Sequence, residues 1–127
     1  MRIKVNVKLD NLKIKALEQA NLKALEMTTE AVLSDIKTSA VVPKDTGELE
    51  RSGFVDLKDI RNAVARIVFD TPYARRLYWH PEYNFRTDKN PNAQGKWMEA
   101  YLTGDKRKFV IDTYSVLLKQ LSKGLIN

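Results

Sequence analysis

The sequence predicts an α+β fold in one domain, residues 1–127: a long N-terminal helix and a C-terminal helix packed on a small antiparallel sheet, itself an N-terminal strand plus a β-hairpin. Three observations predict it. Residues 2–9 alternate, with Ile3, Val5, Val7 and Leu9 on one parity and Arg2, Lys4, Asn6 and Lys8 on the other, the period of a half-buried strand. From Leu12 the apolar spacing lengthens to three and four, the period of a helix. Further on, two segments rich in β-branched and aromatic residues flank the polar run Asp59-Ile60-Arg61-Asn62, the pattern of a hairpin.

The helix follows Asp10-Asn11, whose side chains suit a cap, and is expected to reach about Thr38. Leu17, Ala20, Ala24, Met27 and Ala31 form one stripe, and Leu22, Leu25, Val32 and Ile36 widen it enough to lie on a sheet, so the strands are its expected partner. Val41-Val42-Pro43-Lys44 ends the pattern, because proline lacks a donor and biases its predecessor away from the helical region. Asp45-Thr46-Gly47-Glu48 reads as a capping box opening a short helical turn through Ser52. The hairpin strands are expected within residues 53–58 and 63–70, closed by Thr71-Pro72. A short amphipathic helix over Tyr73–Trp79 precedes His80-Pro81.

Residues 82–95 are the least regular stretch: Asn84, Thr87, Asp88, Lys89, Asn90, Asn92 and Gln94 dominate, with Pro91 and Gly95 as breakers. Structureless loops of this length are uncommon in small domains, so ordering against a neighbouring subunit is the expectation. Residues 97–102 read as a short helix, and Val110, Thr113 or Tyr114, Leu117 and Leu121 mark the last helix, with Gly124 placed for a left-handed stop.

Composition narrows the function. A chain of 127 residues holds one core, since compact domains commonly run to ~100–150 residues. With no cysteine there is no disulfide framework, thiolate metal site or Cys nucleophile. The N-terminus lacks a continuous apolar signal region and no apolar run approaches the ~20 residues of a membrane span, so the expected product is cytoplasmic when made, without membrane contact. The net charge of +6 permits attraction to polyanions, but acidic residues interleave the basic ones throughout, as on a solvated surface.

Chemistry is sparse. His80 is the single histidine, which removes two-His metal sites and leaves any His-dependent mechanism to one residue flanked by Trp79 and Pro81. Asp45-Thr46-Gly47 matches the tripeptide of aspartic proteases, yet Pro43-Lys44 precedes it and Glu48-Leu49-Glu50-Arg51 follows, the context of a capped turn. The five glycines stand singly, so no phosphate loop exists and no cofactor or small-molecule substrate is expected. Residues 73–101 mix Tyr73, Tyr78, Trp79, Tyr83, Phe85, Trp97 and Tyr101 with Arg75, Arg76, Arg86 and Lys96. Aromatic and arginine side chains could stack on bases and hold phosphates, but the same types are enriched at protein interfaces. Because they flank an irregular loop, an interface is the better expectation.

The order of these pieces resembles the minor capsid and head–tail joining (neck, tail completion) proteins of tailed bacteriophages, over roughly residues 10–123. The resemblance rests on the long first helix, Pro43-Lys44-Asp45-Thr46-Gly47-Glu48-Leu49-Glu50-Arg51-Ser52, the hairpin, Pro72-Tyr73-Ala74 leading into Leu77-Tyr78-Trp79-His80-Pro81, then Gly95-Lys96-Trp97 and the last helix. It implies a non-enzymatic connector subunit in the virion, made in the host cytoplasm and assembled as a homo-oligomeric ring against neighbouring neck, portal-side or tail-tube proteins. On that analogy Asp45, Thr46, Gly47, Leu49 and Ser52 fix one turn, and Pro72, Tyr73 and Ala74 anchor the next. Tyr78, Trp79, Tyr83, Phe85, Arg86 and Trp97 are the expected subunit interface, with the chain termini also touching neighbours and Arg75 and Arg76 facing DNA in the channel. The alternative is a nucleic-acid-binding protein using the basic aromatic segment 73–101. The Asn- and Lys-rich run 82–94 departs from the shorter or more Gly-rich loop of many such proteins.

Overall fold

A computed structural model describes residues 11–44 and 47–124. The strand expected over residues 2–9, the cap at Asp10, and the turn residues Asp45 and Thr46 lie outside the described residues. Helix α1 (Asn11–Thr38) runs for 28 residues, about 42 Å at the usual rise, through a stretch free of glycine and proline. Its buried hydroxyls are satisfied within the helix: Thr28 Oγ1 donates to the Ala24 carbonyl and Thr29 Oγ1 to that of Leu25, both at 2.7 Å. The helix stops at Thr38, and Ala40 takes a positive φ of 56° that turns the chain toward the buried Val42 and Pro43.

The next turn is α2 (Glu48–Arg51); Asp45, the cap of the expected capping box, lies outside the described residues. Glu48 is its first residue, and the N-cap is Gly47, at φ 85° and without a side-chain capping bond. That left-handed conformation suits glycine, and a Cβ at residue 47 would come within 2.8 Å of the Arg51 guanidinium. Strands β1 (Gly53–Asp56) and β2 (Arg66–Phe69) then pair antiparallel, Gly53 opposite Phe69 and Asp56 opposite Arg66, with a 3₁₀ turn (Ile60–Asn62) in the connection. Ile67 and Phe69 point to the core while Phe54 is exposed, as the period of two requires. Helices α3 (Ala74–Tyr78), α4 (Glu99–Leu102) and α5 (Arg107–Leu121) complete the chain, and Gly124 adopts φ 87° just past the last helix, as expected there. No helix among the described residues is long and apolar enough to cross a membrane.

The core joins Val32 and Ile36 of α1 to Val42, Leu49, Ala74, Trp97 and Tyr101. As expected, α1 packs on the hairpin, and among the described residues it also lies, more extensively, along α5. Length explains it. Strands of four residues span about 13 Å and cover only part of a helix three times as long. Around the buried Ala20 and Ala24 the small side chains allow close approach, and the Tyr114 hydroxyl bonds Asn21 across the α1–α5 seam.

One polar node ties α1 to the C-terminal elements. The Asp35 carboxylate accepts hydrogen bonds from the Tyr101 hydroxyl at 2.5 Å and from Lys106 Nζ at 3.0 Å. Burial works against its ionisation, but the bonds from Tyr101, Lys106 and Ser39 outweigh it and hold its pKa below the usual 3.8. Burial first, and Asp35 second, push the Tyr101 phenol up. Because the folded carboxyl has the lower pKa, its contribution is present above the unfolded value of 3.8 and is lost as pH falls through the lower folded value. Asp35→Asn is therefore expected to cost about 1–2 kcal/mol at pH 7. In urea unfolding the gap between variant and parent should narrow below about pH 4.

Candidate functional site

A line of aromatic rings carries the core out to the surface at one corner of the molecule. Trp97, 3% exposed, meets Phe69 edge-on at 5.5 Å and Tyr78 edge-on at 4.9 Å, and Tyr78 meets Trp79 at 5.1 Å. These are the edge-to-face arrangements that ring quadrupoles favour. Trp79 ends the line 58% exposed, with the Lys96 ammonium 5.7 Å from its ring. Beside it, Tyr83 stacks on His80 at 4.7 Å and 8°, carries the Arg76 guanidinium 5.8 Å above its ring, and lies 6.3 Å from Phe85.

The expected interface residues thus divide. Tyr83 lies beside Phe85, Phe85 and Arg86 line one cleft, and Trp79 stands exposed with the half-buried Tyr78 behind it. Trp97 is corrected from interface to core: an indole at 3% exposure has no area left for a partner. Its Nε1 also lacks a hydrogen-bond acceptor among the described residues, as does the hydroxyl of Thr71. Of the turn residues, Leu49 and Ala74 are buried, Gly47 sets the start of α2, and Ser52 Oγ donates to the Leu49 carbonyl at 2.6 Å. Pro72, Arg75 and Arg76 are exposed, and Tyr73 borders a cleft with Leu77, Asn84, Phe85 and Arg86.

The charges at this corner are largely engaged with each other. Arg86 holds Asp88 in a two-pronged contact at 2.7 and 2.6 Å, which lowers the Asp88 pKa to about 2. His80 Nδ1 lies 2.7 Å from Glu82 Oε1, and that hydrogen bond lowers the Glu82 pKa. A base would need a positioned nucleophile or substrate pocket beside it, and His80 instead stacks on a tyrosine at the surface. Among the described residues no cluster of three or more His, Asp or Glu could hold a metal.

The second half of the irregular loop is tied to its own chain. Asn90, buried to 5% exposure, donates from Nδ2 to the Val42 carbonyl at 2.7 Å and to Glu50 at 3.1 Å. The amides of Asn92 and Gln94 reach the carbonyls of Ala40 and Val41, and the Lys96 amide reaches that of Tyr78 at 2.7 Å. At Gly95 the chain runs so close to Pro81 that a Cβ would lie 2.7 Å from its Cα. Residues 90–96 are in effect laced to the exit of α1 and the end of α3, which fixes the backbone under Trp79. The sequence singled out neither Asn90 nor Asp35. Asn90 looks like any other asparagine of a polar run, whereas Asp35, a charge set between Val32 and Ile36, was a visible interruption of the apolar stripe.

At this corner the exposed Trp79 is thus backed by Tyr78 and the buried Trp97. No family model matches the chain, and neither a curated protein nor a solved structure matches it.

Exposure sorts the expected effects of substitution. Trp97→Ala should cost about 3–5 kcal/mol in denaturant unfolding, whereas Trp79→Ala should stay within about 1 kcal/mol of the parent because most of its ring is already in water. Asn90→Ala, which leaves the Val42 carbonyl without its partner, should cost about 1–3 kcal/mol and raise hydrogen exchange at the Asn92, Gln94 and Lys96 amides.

Proposed function

We propose that this chain is a structural virion protein of a tailed bacteriophage, a minor capsid or head–tail connector subunit of the neck or tail completion region. It acts by oligomeric assembly at the portal–tail junction, and it catalyses nothing. The observation that carries the reading is the exposed Trp79, linked through Tyr78 to the buried Trp97, with the Tyr83–Phe85 pair a few residues further along the chain. Exposed aromatic and arginine side chains held rigidly behave as interface anchors, because they bury large area with little ordering cost. The resemblance in element order over residues 10–123 supplies the identity of the assembly, with neck, portal-side or tail-tube proteins as neighbours and the virion as the final location.

The alternative, nucleic-acid binding through residues 73–101, draws on the exposed Arg75 and Arg76 beside Trp79 and Tyr83. One feature weighs against it: Arg86 is paired with Asp88, which offsets its charge toward phosphates.

Peptide mass spectrometry of purified phage particles should find the protein in stoichiometric amounts, and a phage deleted for it should accumulate unjoined heads and tails. Infectious particles assembled without it would remove the reading. DNA affinity that falls by more than about tenfold between 50 and 200 mM salt, and that disappears in Arg75→Glu/Arg76→Glu, would put the alternative in its place.

A further inference from the structure

Among the described residues the sheet has two strands, and only β1 pairs with β2, so one edge of β2 is open. A two-stranded sheet is the marginal minimum, and a third strand adds to its stability. Beside β2 lies a groove of about 330 Å³, lined by Leu25 and Val32 of α1, Ala65 and Ile67 on the hairpin side, and Met98 and Leu102 of the α4 turn. Among the described residues β1 contributes nothing to its lining, so the groove opens on the unpaired side of β2. Its polar side chains are already engaged. The hydroxyls of Thr28 and Thr29 bond within α1, that of Tyr101 bonds Asp35, and that of Tyr78 bonds the Met98 backbone. A small-molecule site needs a few convergent polar groups to orient its ligand, and those present here are taken up.

We propose that residues 2–9 of the same chain fill this groove, adding a third, antiparallel strand to the open edge of β2 and setting Ile3 and Val5 among its apolar side chains. Reach is the first argument. Residues 1–10 lead into Asn11, the first residue of α1, and Leu25 and Thr28 lie about 21 and about 26 Å along the helix from it at the usual rise. An extended chain folded back from Asn11 covers about 20 Å at Val5 and about 26 Å at Ile3, which brings both level with the groove. Direction agrees. The Phe69 end of β2 pairs with Gly53, whose carbonyl accepts from Lys37, while Ala65 and Ile67 lie with Leu25, so β2 runs with α1 and a segment returning to Asn11 meets it antiparallel. The alternation agrees too, with Ile3, Val5, Val7 and Leu9 on the parity that faces a core and Arg2, Lys4, Asn6 and Lys8 on the parity that faces water. Attachment at Asn11 favours this segment over that of a second copy, since a short tether raises local concentration to about the millimolar range. Sequence periodicity alone expects a strand, and the groove specifies the edge it joins. The assignment does not depend on the virion assembly proposed above.

The chain has no cysteine, so an engineered pair reports on the contact without competition. Val5→Cys/Leu25→Cys, oxidised in dilute solution, should form a disulfide within one chain. Val5→Cys/Val116→Cys should form none, because Val116 lies in a separate trough with Met27 and Ala31. In urea, Val5→Asp should lower the unfolding midpoint, whereas Lys4→Asp, one position away on the other parity, should leave it near that of the parent. Three results overturn the proposal: a Leu25 pair that cross-links no better than the Val116 pair, a disulfide found only between two chains, which gives the groove to a second copy, or equal midpoints for Val5→Asp and Lys4→Asp.

Discussion

Trp97 is the contact on which the other elements depend. Its indole sits between Phe69 of the hairpin and Tyr78 of α3, within the same cluster as Val32 and Ile36 of α1. Elements of four or five residues cannot hold themselves in water, because nucleating a turn costs more than its few hydrogen bonds return. For β2 and α3 one large side chain supplies something apolar to lie against. An aromatic core residue in this position also explains why the surface at Trp79 is rigid: two edge-on ring contacts connect it to the interior.

A second constraint is the mismatch between one long helix and a short sheet. The hairpin covers only part of α1, and the rest finds its partner in α5. The Asp35 node with Tyr101 and Lys106 ties α1 to the C-terminal elements beside that pairing. At the other end of the core, Tyr78 links the buried Trp97 to the exposed Trp79.

The loop between α3 and α4 shows how a polar run becomes ordered without secondary structure. Asn90, Asn92 and Gln94 donate the hydrogen bonds that the carbonyls of the turn after α1 would otherwise accept from water. The same residues, read as composition, resemble a mobile segment. Their partners lie about fifty positions away in the chain, and only folding brings those carbonyls within reach.

By itself the sequence determined the long helix, its stop near Pro43, the hairpin, the short helix before His80-Pro81 and the final amphipathic helix, because each is written in local spacing and in proline and glycine positions. It also put Trp79, Tyr83, Phe85 and Arg86 in one neighbourhood, since they are close in the chain. What only the tertiary structure decided was which side chains face inward at that corner, so that Trp97 left the candidate surface for the core and Asn90 and Asp35 entered as anchors. It also decided that α1 lies chiefly along α5. Burial and long-range hydrogen bonding depend on which surfaces meet after the chain has turned back on itself, and no local period encodes that.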